Sequence, residues 1–303
     1  MAEWLGYLSP GPAGGPYSAA FLAELAPRTV SQAAYLNFDQ GTGPGSALQN
    51  AADSLVANAP VGTGNYSAIV SGSTTATEAL LAARTSTGKP VWIIVAIGGR
   101  DDLIPEGDDT ICGTIDHTVV QATKQMQNLL GRFSDDIAVL ALHNANNSGK
   151  RHQVDVIQAH LVSSGGRSVT SVVPVDLSGL PSQGSRGAPS VAAWIHQRLL
   201  GYPHTNHAII VLEDPLVNQY MADIVQGIEK RTQGHKFHVA HGDPDVITKH
   251  SGVLTPNHHY AYGPDHTENF KQAARWAKQL VWDKSATPSD IGLQHPAMKT
   301  ASN

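Results

Sequence analysis

Histidines are the residues whose spacing most readily suggests chemistry in this chain. His235, His238 and His241 recur every third residue, and a neutral imidazole is a common metal ligand. The surrounding residues predict a strand, in which side chains three apart point to opposite faces, so these three cannot converge on one ion. The segment from His241 to Asp245, HGDPD, could serve a metallohydrolase, but neither an HExxH sequence nor a second ligand cluster accompanies it. We therefore predict no bound metal.

Covalent catalysis and dinucleotide binding have little support either. The sequence contains no Gly-x-Ser-x-Gly elbow, and its single cysteine, Cys112, lies in the apolar stretch ICGTI, where we expect a core residue. GTGPG at Gly41 to Gly45 lacks the Gly-x-Gly-x-x-Gly spacing and is better explained as a turn. We predict no cofactor. An α/β hydrolase or transferase built on His241, Asp243 or Asp245 is the least favoured hypothesis.

Polar side chains follow most of the predicted strands, where an α/β protein carries its binding site. They are Ser9, Ser73, Thr74, Asp102, Asn144 and Asp214. The carboxyl ends of parallel strands share one edge of a sheet, and the helix starts that follow them offer free backbone N–H groups to an anion. Helix capping explains each position equally well, because Ser, Thr, Asn and Asp are the preferred caps. Ligand contact and capping both stay open.

Eight apolar runs rich in β-branched residues predict the strands that position these side chains. They cover residues 4–8, 30–36, 67–70, 91–97, 137–142, 168–175, 208–212 and 237–240. Helical spacing appears between them, at Val119, Ala122, Met126, Leu129 and Phe133, and again at Phe270, Ala273, Ala277 and Leu280. This alternation predicts the α/β class, with parallel sheets flanked by helices on both faces.

Composition limits the number of domains and the partners. A chain of 303 residues that is 41% hydrophobic can bury two cores of ordinary size, so we expect two lobes. The 20 Lys and Arg, against 25 Asp and Glu, form no basic stripe, which argues against nucleic acid as a partner. The longest apolar run, Val91 to Ile97, is shorter than the ~20 residues that cross a bilayer. We expect a periplasmic or extracytoplasmic protein if a signal peptide has been removed, and a cytoplasmic one otherwise.

Several stretches, taken in order, resemble one family. YSAIVSGSTTATEALLAARTSTGKPVWIIVAIGGRDDLIP (66–105) and CGTIDHTVVQATKQMQNLLGRFSDDIAVLALHNANN (112–147) are similar to the strand and crossover passages of ABC-transporter substrate-binding proteins of the tryptophan/tyrosine type. IIVLEDPLVN (209–218) resembles that family's strand ending in Asp-Pro-Leu, and YGPDHTENFKQAARWAKQL, from Tyr262, resembles its late helix. The agreement in order and spacing extends over roughly residues 4 to 283.

The resemblance implies the type I periplasmic-binding-protein fold, which has two Rossmann-like lobes and a ligand cleft between them. We expect residues 1–115 to form the first lobe, with about 252–303 returning to it, and 116–251 to form the second. The expected role is that of a solute-binding protein, not an enzyme, that closes on its ligand and works with ABC permease and ATPase subunits. A monomer is expected.

The same resemblance implies a ligand and its contacts. An amino acid or related small carboxylate would place its carboxylate at Ser73 and Thr74. Its ammonium group would face Asp214, with Asp102 as the second candidate. Asn144 would offer both a donor and an acceptor, and Ser9 and Tyr262 would line the walls.

Departures from the family pattern leave an alternative open. Asp102-Leu103 stands where the family carries Asp-Pro, and the last residues, SDIGLQHPAMKTASN, are polar where the family has an apolar strand. We therefore expect an altered final crossing between the lobes. A cytosolic ligand-sensing domain of the same fold is the second hypothesis.

Overall fold

The computed structural model describes residues 3–9, 16–34, 45–60, 66–98, 100, 104, 107–115, 118–181, 189–202, 207–231 and 236–302. The chain divides into two compact units. The first comprises Met1–His117 and Asp265–Ala297, and the second comprises Thr118–Pro264 and Met298–Asn303. No helix within the described ranges is long and apolar enough to cross a membrane.

Thirteen strands and eleven α-helices alternate along the described ranges. The strands are β1 (Glu3–Ser9), β2 (Ser31–Ala34), β3 (Tyr66–Ser71), β4 (Trp92–Gly98), β5 (Ile111–Ile115), β6 (Ile137–His143), β7 (Ser163–Ser164), β8 (Arg167–Asp176), β9 (His207–Val211), β10 (Phe237–His241), β11 (His259–Pro264), β12 (Leu293–Gln294) and β13 (Met298–Ser302). The helices are α1 (Pro16–Leu25), α2 (Ala47–Asn58), α3 (Thr74–Thr87), α4 (Thr118–Arg132), α5 (Ser148–Ala159), α6 (Val191–Leu200), α7 (Pro215–Gln219), α8 (Met221–Arg231), α9 (Asp245–Lys249), α10 (His266–Ala277) and α11 (Pro288–Ile291), and a π-helix, Lys278–Asp283, continues α10.

The first unit is built on one parallel sheet. Its strand order is β12-β5-β4-β3-β1-β2, and each recorded pair is parallel. One face packs Tyr7 against Phe21 and Phe270, whereas the other packs Leu8 and Ile69 against α2 and α3. Burying a side chain of this size stabilises the fold by ~1.5–3 kcal/mol. Apolar residues on both faces explain why its strands appear in the sequence as continuous apolar runs.

The second unit has a seven-stranded mixed sheet. Its order is β13-β11-β10-β9-β6-β8-β7, parallel except for the β11–β13 and β7–β8 pairs. Phe237 and Val239 pack on the side of α6 and α8, whereas Ala240 packs on the side of Met126 and Val154. The ends of β6, β8, β9 and β10 thus lie side by side at one edge, where polar groups can meet.

The predicted α/β class and the two-lobed fold of parallel sheets flanked by helices are confirmed. All eight apolar runs contain a strand, and both helical patterns fall on helices, α4 and α10 with its π-helical extension. The point of return differs from the expected one, about 252. The chain re-enters the first unit at 265, because β11 pairs with β10 in the second sheet.

The polar end of the chain adopts regular structure. β12 pairs with β5 in the first sheet, after which β13 pairs antiparallel with β11 in the second. The chain therefore passes from one unit to the other three times, at 117/118, 264/265 and 297/298. A strand can be polar here because β13 is an edge strand with mostly half-exposed or exposed residues.

Candidate functional site

The start of α3 presents Ser73 and Thr74 at the carboxyl end of β3. Ser73 is the N-cap, and its Oγ accepts a hydrogen bond of 3.2 Å from the backbone N–H of Ala76. Its hydroxyl also lies 3.2 Å from Thr75 Oγ1. Thr74 is the first residue of α3 and is buried. Capping therefore accounts for Ser73 structurally, while the first turn keeps backbone N–H groups and a partial positive charge at this edge.

A web of buried hydroxyls supports that turn. Ser71 Oγ lies 2.6 Å from Thr77 Oγ1, and each of these two oxygens is 2.9 Å from the carbonyl oxygen of Ser73. Ser71 and Thr77 are almost fully buried. Sequence reasoning did not identify this support, although the Ser and Thr run from 71 to 77 was a visible signal.

Two expected contacts of the first unit are not described. Ser9 is the last residue of β1, but its side chain lies outside the described part of the chain, as does all of Asp102. Their predicted ligand contacts therefore stay predictions. Arg100, two residues after the end of β4, has its Nη1 3.1 Å from Glu78 Oε1 of α3.

Asn144 and Asp214 meet at the edge of the second unit, as their positions after β6 and β9 predicted. Asn144 Nδ2 donates a 2.8 Å hydrogen bond to Asp214 Oδ2, and both side chains are buried. Asn147 Nδ2 lies 3.3 Å from the same oxygen. Asp214 Oδ1 accepts the backbone N–H of Val217 at 2.9 Å, which makes Asp214 the N-cap of α7. The carboxylate thus receives three donors and keeps roughly one further acceptor position.

Asp176, the last residue of β8, is a strand-end carboxylate that sequence reasoning missed. Its Oδ1 accepts the backbone N–H groups of Ala145 at 3.2 Å and Ser178 at 2.8 Å. Burial alone would raise the pKa of Asp176, but these amides and the Ser178 hydroxyl outweigh it and lower the pKa. A negative charge therefore stays beside the loop that carries Asn144.

Tyr262 lies in β11, the strand that pairs with β10 on the side away from β9. Its backbone carbonyl oxygen accepts hydrogen bonds of 3.2 Å from both Gln121 Nε2 and Gln125 Nε2 of α4. The Tyr262 side chain is half-buried. Its predicted contact with a ligand stays a prediction.

A buried row of Glu213, His241 and His259 is the feature that sequence reasoning missed most clearly. Glu213 Oε1 lies 2.6 Å from His241 Nδ1, and His241 Nε2 lies 3.0 Å from His259 Nδ1. Glu213 Oε2 accepts the backbone N–H groups of Gly242 at 2.6 Å and Asp243 at 3.0 Å. His259 Nε2 is buried and has no hydrogen-bond partner among the described residues. The only sequence signal was the unusual number of histidines.

Burial controls the ionisation of this row. It raises the pKa of Glu213 well above its usual value, with a further contribution from the Asp243 carboxylate. It lowers the pKa of His241 to about 4 and, together with neighbouring imidazoles, that of His259 to about 3. Both rings are therefore neutral near pH 7. Because His241 is fully buried, its position does not suit a general base that must reach a substrate.

The other histidine of β10, His238, behaves as the alternation of a strand requires. His238 points away from His241 and stacks on His258, with ring centroids 5.1 Å apart and an angle of 17° between the rings. The ring of Phe133 packs edge-on against His238, with the two ring centroids 5.4 Å apart. His235 lies outside the described residues. Within the described ranges, no group of three or more His, Cys, Asp or Glu side chains is arranged to hold a metal ion.

Comparison of the whole chain with known proteins gives structural matches only. No protein-family model matches the sequence, and no curated protein matches it significantly. An ABC domain in complex with L-Trp from Streptococcus pneumoniae has a TM-score of 0.68 and 14% identity, with 99% of this chain and 92% of that chain covered. The glucose-galactose binding protein GanP from Geobacillus stearothermophilus has a TM-score of 0.65 and 11% identity, with 100% and 98% covered.

A transcription regulator also has this fold. A dimeric Lac repressor with a C-terminal deletion has a TM-score of 0.60 and 13% identity, with 98% of this chain and 97% of that chain covered. At these identities the similarity establishes the fold alone, that of the type I periplasmic binding proteins, which ABC solute-binding proteins and Lac-repressor-like regulators share.

Proposed function

We propose that this chain is the solute-binding component of an ABC importer, and that it binds a small amino-acid-like molecule or related carboxylate without chemically changing it. The observation that carries the proposal is the Asn144–Asp214 pair, joined at 2.8 Å at the carboxyl ends of two neighbouring parallel strands. Ligands of open α/β sheets bind at this edge. The Asp214 carboxylate would bind the ligand's ammonium group, and Asn144 would hold the Asp214 side chain in position.

The first unit has its own group that is suited to a carboxylate. α3 is a helix of 14 residues with Ser73 as its N-cap, so its first turn has the partial positive charge and the backbone N–H groups that stabilise a carboxylate. Thr74 begins the same turn. On the resemblance alone, Ser9 and Tyr262 remain candidate wall residues, and Asp102 remains the second candidate for the ammonium group.

A second candidate function is supported by the regulators with this fold. The Lac repressor is one, and a LacI family regulator from Enterococcus faecalis with bound ribose is another, with a TM-score of 0.58 at 10% identity. The chain would then be a ligand-sensing domain. Its ligand would be a sugar if it followed the ribose-bound protein, and Asp214 would accept a sugar hydroxyl instead of an ammonium group.

A thermal-shift screen tests the ligand class directly. The compounds are amino acids, small carboxylates without an amino group, and neutral sugars. A ligand present at 100 times its dissociation constant adds ~2.7 kcal/mol to the free energy of unfolding. We expect amino acids or carboxylates to raise Tm and sugars not to. A shift with sugars alone would overturn the proposed ligand class, and no shift with any compound would count against the binding function.

An exchange of the two paired residues isolates the role of the charge. In the double variant Asn144→Asp, Asp214→Asn the pair keeps its total charge, one hydrogen bond between its members, and an oxygen at residue 214 that can cap α7, since Asn and Asp cap equally well. We expect the folded protein to remain and affinity for an amino acid to fall by about tenfold or more, because the carboxylate has moved away from the ammonium group. Unchanged affinity would contradict the assignment of Asp214.

Ser73 is tested against a matched cap. Ser73→Ala and Thr287→Ala each remove a hydroxyl that caps a helix of the first unit. Both should lower stability by ~0.5–2 kcal/mol. Only Ser73→Ala should weaken carboxylate binding, as measured by calorimetry; equal affinities for the two variants would limit Ser73 to capping.

A further inference from the structure

Two contacts of hydrogen-bond length join Glu213, His241 and His259 into a continuous row. Its two links are the 2.6 Å contact of Glu213 Oε1 with His241 Nδ1 and the 3.0 Å contact of His241 Nε2 with His259 Nδ1. Each link needs one hydrogen. The row ends at His259 Nε2, which is buried and has no hydrogen-bond partner among the described residues.

With two hydrogens in the row, only one arrangement keeps both rings neutral and places a hydrogen in each link. Glu213 is ionised, His241 donates from Nδ1 to it, and His259 donates from Nδ1 to His241 Nε2. The row then carries one negative charge, and His259 Nε2 is an acceptor.

With a third hydrogen, both links survive but reverse. Glu213 is protonated and donates to His241 Nδ1, His241 donates from Nε2 to His259 Nδ1, and His259 Nε2 carries a hydrogen. The row is neutral. A fourth hydrogen would place two N–H groups against each other at the link between the rings, or leave a buried imidazolium, which burial opposes.

We propose that Glu213, His241 and His259 form a buried relay that takes up a single proton, and that this proton weakens the hold of Glu213 on the loop after β10. Glu213 Oε2 accepts the backbone N–H groups of Gly242 at 2.6 Å and Asp243 at 3.0 Å. Hydrogen bonds to an ionised carboxylate are about twice as strong as those to a neutral acid. Proton uptake therefore loosens Gly242 and Asp243 while the rest of the row stays joined.

The surrounding charges favour uptake of one proton and oppose a second. Asp243 lies close enough to raise the pKa of Glu213, whereas Lys150 of α5 acts in the opposite direction. Burial, followed by His241, His258 and His238, lowers the pKa of His259. These effects keep that ring from becoming an imidazolium.

His250, which follows α9, is a further titratable neighbour. Burial, followed by Lys249 and His241, lowers the pKa of His250, and Asp243 opposes that effect. The three members of the row are coupled through its two links, so the proton that the row takes up has one apparent pKa that belongs to the row as a whole.

The loop connects the relay to the proposed ligand site. Glu213 immediately precedes Asp214, and Gly242 follows β10, the strand beside β9. Weaker holding of this loop on acidification should lower ligand affinity; this last step rests on the proposed function.

Nitrogen NMR of the imidazole rings tests the relay in the ligand-free protein. The pH is varied from about 5.5, well above the pKa of about 4 of His241, to about 9. We expect His259 Nε2 to change from protonated to unprotonated in one step as pH rises, with the protonated nitrogen of His241 moving from Nε2 to Nδ1 and neither ring becoming an imidazolium. The amide protection of Gly242 and Asp243, relative to intrinsic exchange, should rise about tenfold over the same step. Constant tautomers across this range, or an imidazolium in either ring, would overturn the relay.

Glu213→Gln fixes the relay in its protonated form. The amide nitrogen of the new glutamine can donate to His241 Nδ1, and its oxygen can accept the backbone N–H groups of Gly242 and Asp243. The tautomers of His241 and His259 should therefore no longer change with pH. Glu229→Gln is the control, because Glu229 is a carboxylate of the same unit that contacts Thr255 and lies outside the row. A tautomer change that persists in Glu213→Gln would exclude Glu213 as the proton acceptor. If this variant does not fold, the wild-type titration still decides.

The relay and the ligand-binding proposal fail in different ways. Absence of any ligand with an intact tautomer change would reject the proposed function and leave the relay in place. If a ligand binds but the tautomers of His241 and His259 do not change with pH, the relay is rejected and the proposed function stands. If both hold, the affinity should fall on acidification in the wild-type protein and in Glu229→Gln, but not in Glu213→Gln.

Discussion

Gly263 shows how closely the backbone is packed beside the candidate site. A Cβ atom at this position would lie 1.7 Å from the carbonyl oxygen of Gly242 and 3.0 Å from Gln121 Nε2. The first neighbour is backbone, which cannot swing away like the end of a side chain. The absence of a side chain at Gly263 is what allows β11 to approach the loop after β10.

We predict that Gly263→Ala destabilises the protein by about 3 kcal/mol or more, the upper range for overpacking, because the strands must separate. Gly131→Ala is the matched control in the same unit. A Cβ there meets nothing within 4 Å, and Gly131 lies in α4. It should stabilise the protein by up to ~1 kcal/mol through helix propensity. Urea unfolding of both variants checks the difference, and equal effects would contradict the packing argument.

Cys112 provides a second prediction for a single residue. It is fully buried in β5, and burial raises the pKa of its thiol to about 12. Only the thiolate is a good nucleophile. We expect a thiol reagent at pH 8 to leave the native protein unlabelled and to label it as urea unfolds the first unit. Labelling of the native state as fast as that of the unfolded chain would contradict the burial.

At the scale of an element, α4 holds two strands of the second sheet through its glutamines. Gln121 Nε2 donates to the carbonyl oxygens of Gly242 at 3.0 Å and Tyr262 at 3.2 Å. Gln125 Nε2 donates to the backbone carbonyl oxygens of His241 at 2.9 Å and Tyr262 at 3.2 Å. Since residues four apart share one face of a helix, the two amides fix the ends of β10 and β11 together.

Replacing Gln125 should separate its hydrogen bonds from its packing. Gln125→Met keeps the volume and removes the donors, so we expect a loss of ~1–3 kcal/mol. Gln125→Glu places a buried carboxylate against two carbonyl oxygens. Its pKa should rise in the folded state, so stability should fall further as pH rises through that raised pKa. Gln158→Glu, at an amide that donates to Val172 at 3.1 Å from a less buried position, is the control. A pH-independent Gln125→Glu would contradict this account.

For the whole molecule, buried histidines should set the response to acid. The pKa of His238 is lowered to about 4 by burial, then by His258, Arg132 and Lys236. The pKa of His241 is also lowered to about 4. Each ring binds a proton more readily in the unfolded chain, where a histidine side chain has its ordinary pKa of 6.5. Their contribution to stability is therefore complete above about pH 6.5 and is lost as pH falls toward 4.

We predict that the free energy of unfolding decreases as pH falls from 6.5 to 4, and that it decreases less steeply in His238→Phe. The substituted ring should keep the contact with Phe133 while removing one titrating group. His160→Gln, at an exposed position, should leave the slope unchanged. Urea unfolding across this pH range provides the measurement, and a slope that does not respond to His238→Phe would contradict the assignment.

The amino-acid sequence determined the fold class and most of the elements that build it. Eight apolar runs each contained a strand, and two helical patterns gave α4 and α10, because burial on both faces of a sheet leaves a signal within a few adjacent residues. The polar strand β13 left no such signal, since an edge strand has little apolar surface to bury. The meeting of Asn144 and Asp214 was also predictable, because neighbouring parallel strands end at the same edge.

Only the tertiary structure decided how these side chains are used. Ser73 and Asp214 turned out to be helix caps, a role that the sequence left equal to ligand contact. The row of Glu213, His241 and His259 joins residues 28 and 18 positions apart, and the contact of Gln125 with His241 spans 116. Such contacts depend on strand order and on how deeply each side chain is buried, and neither is encoded in local spacing.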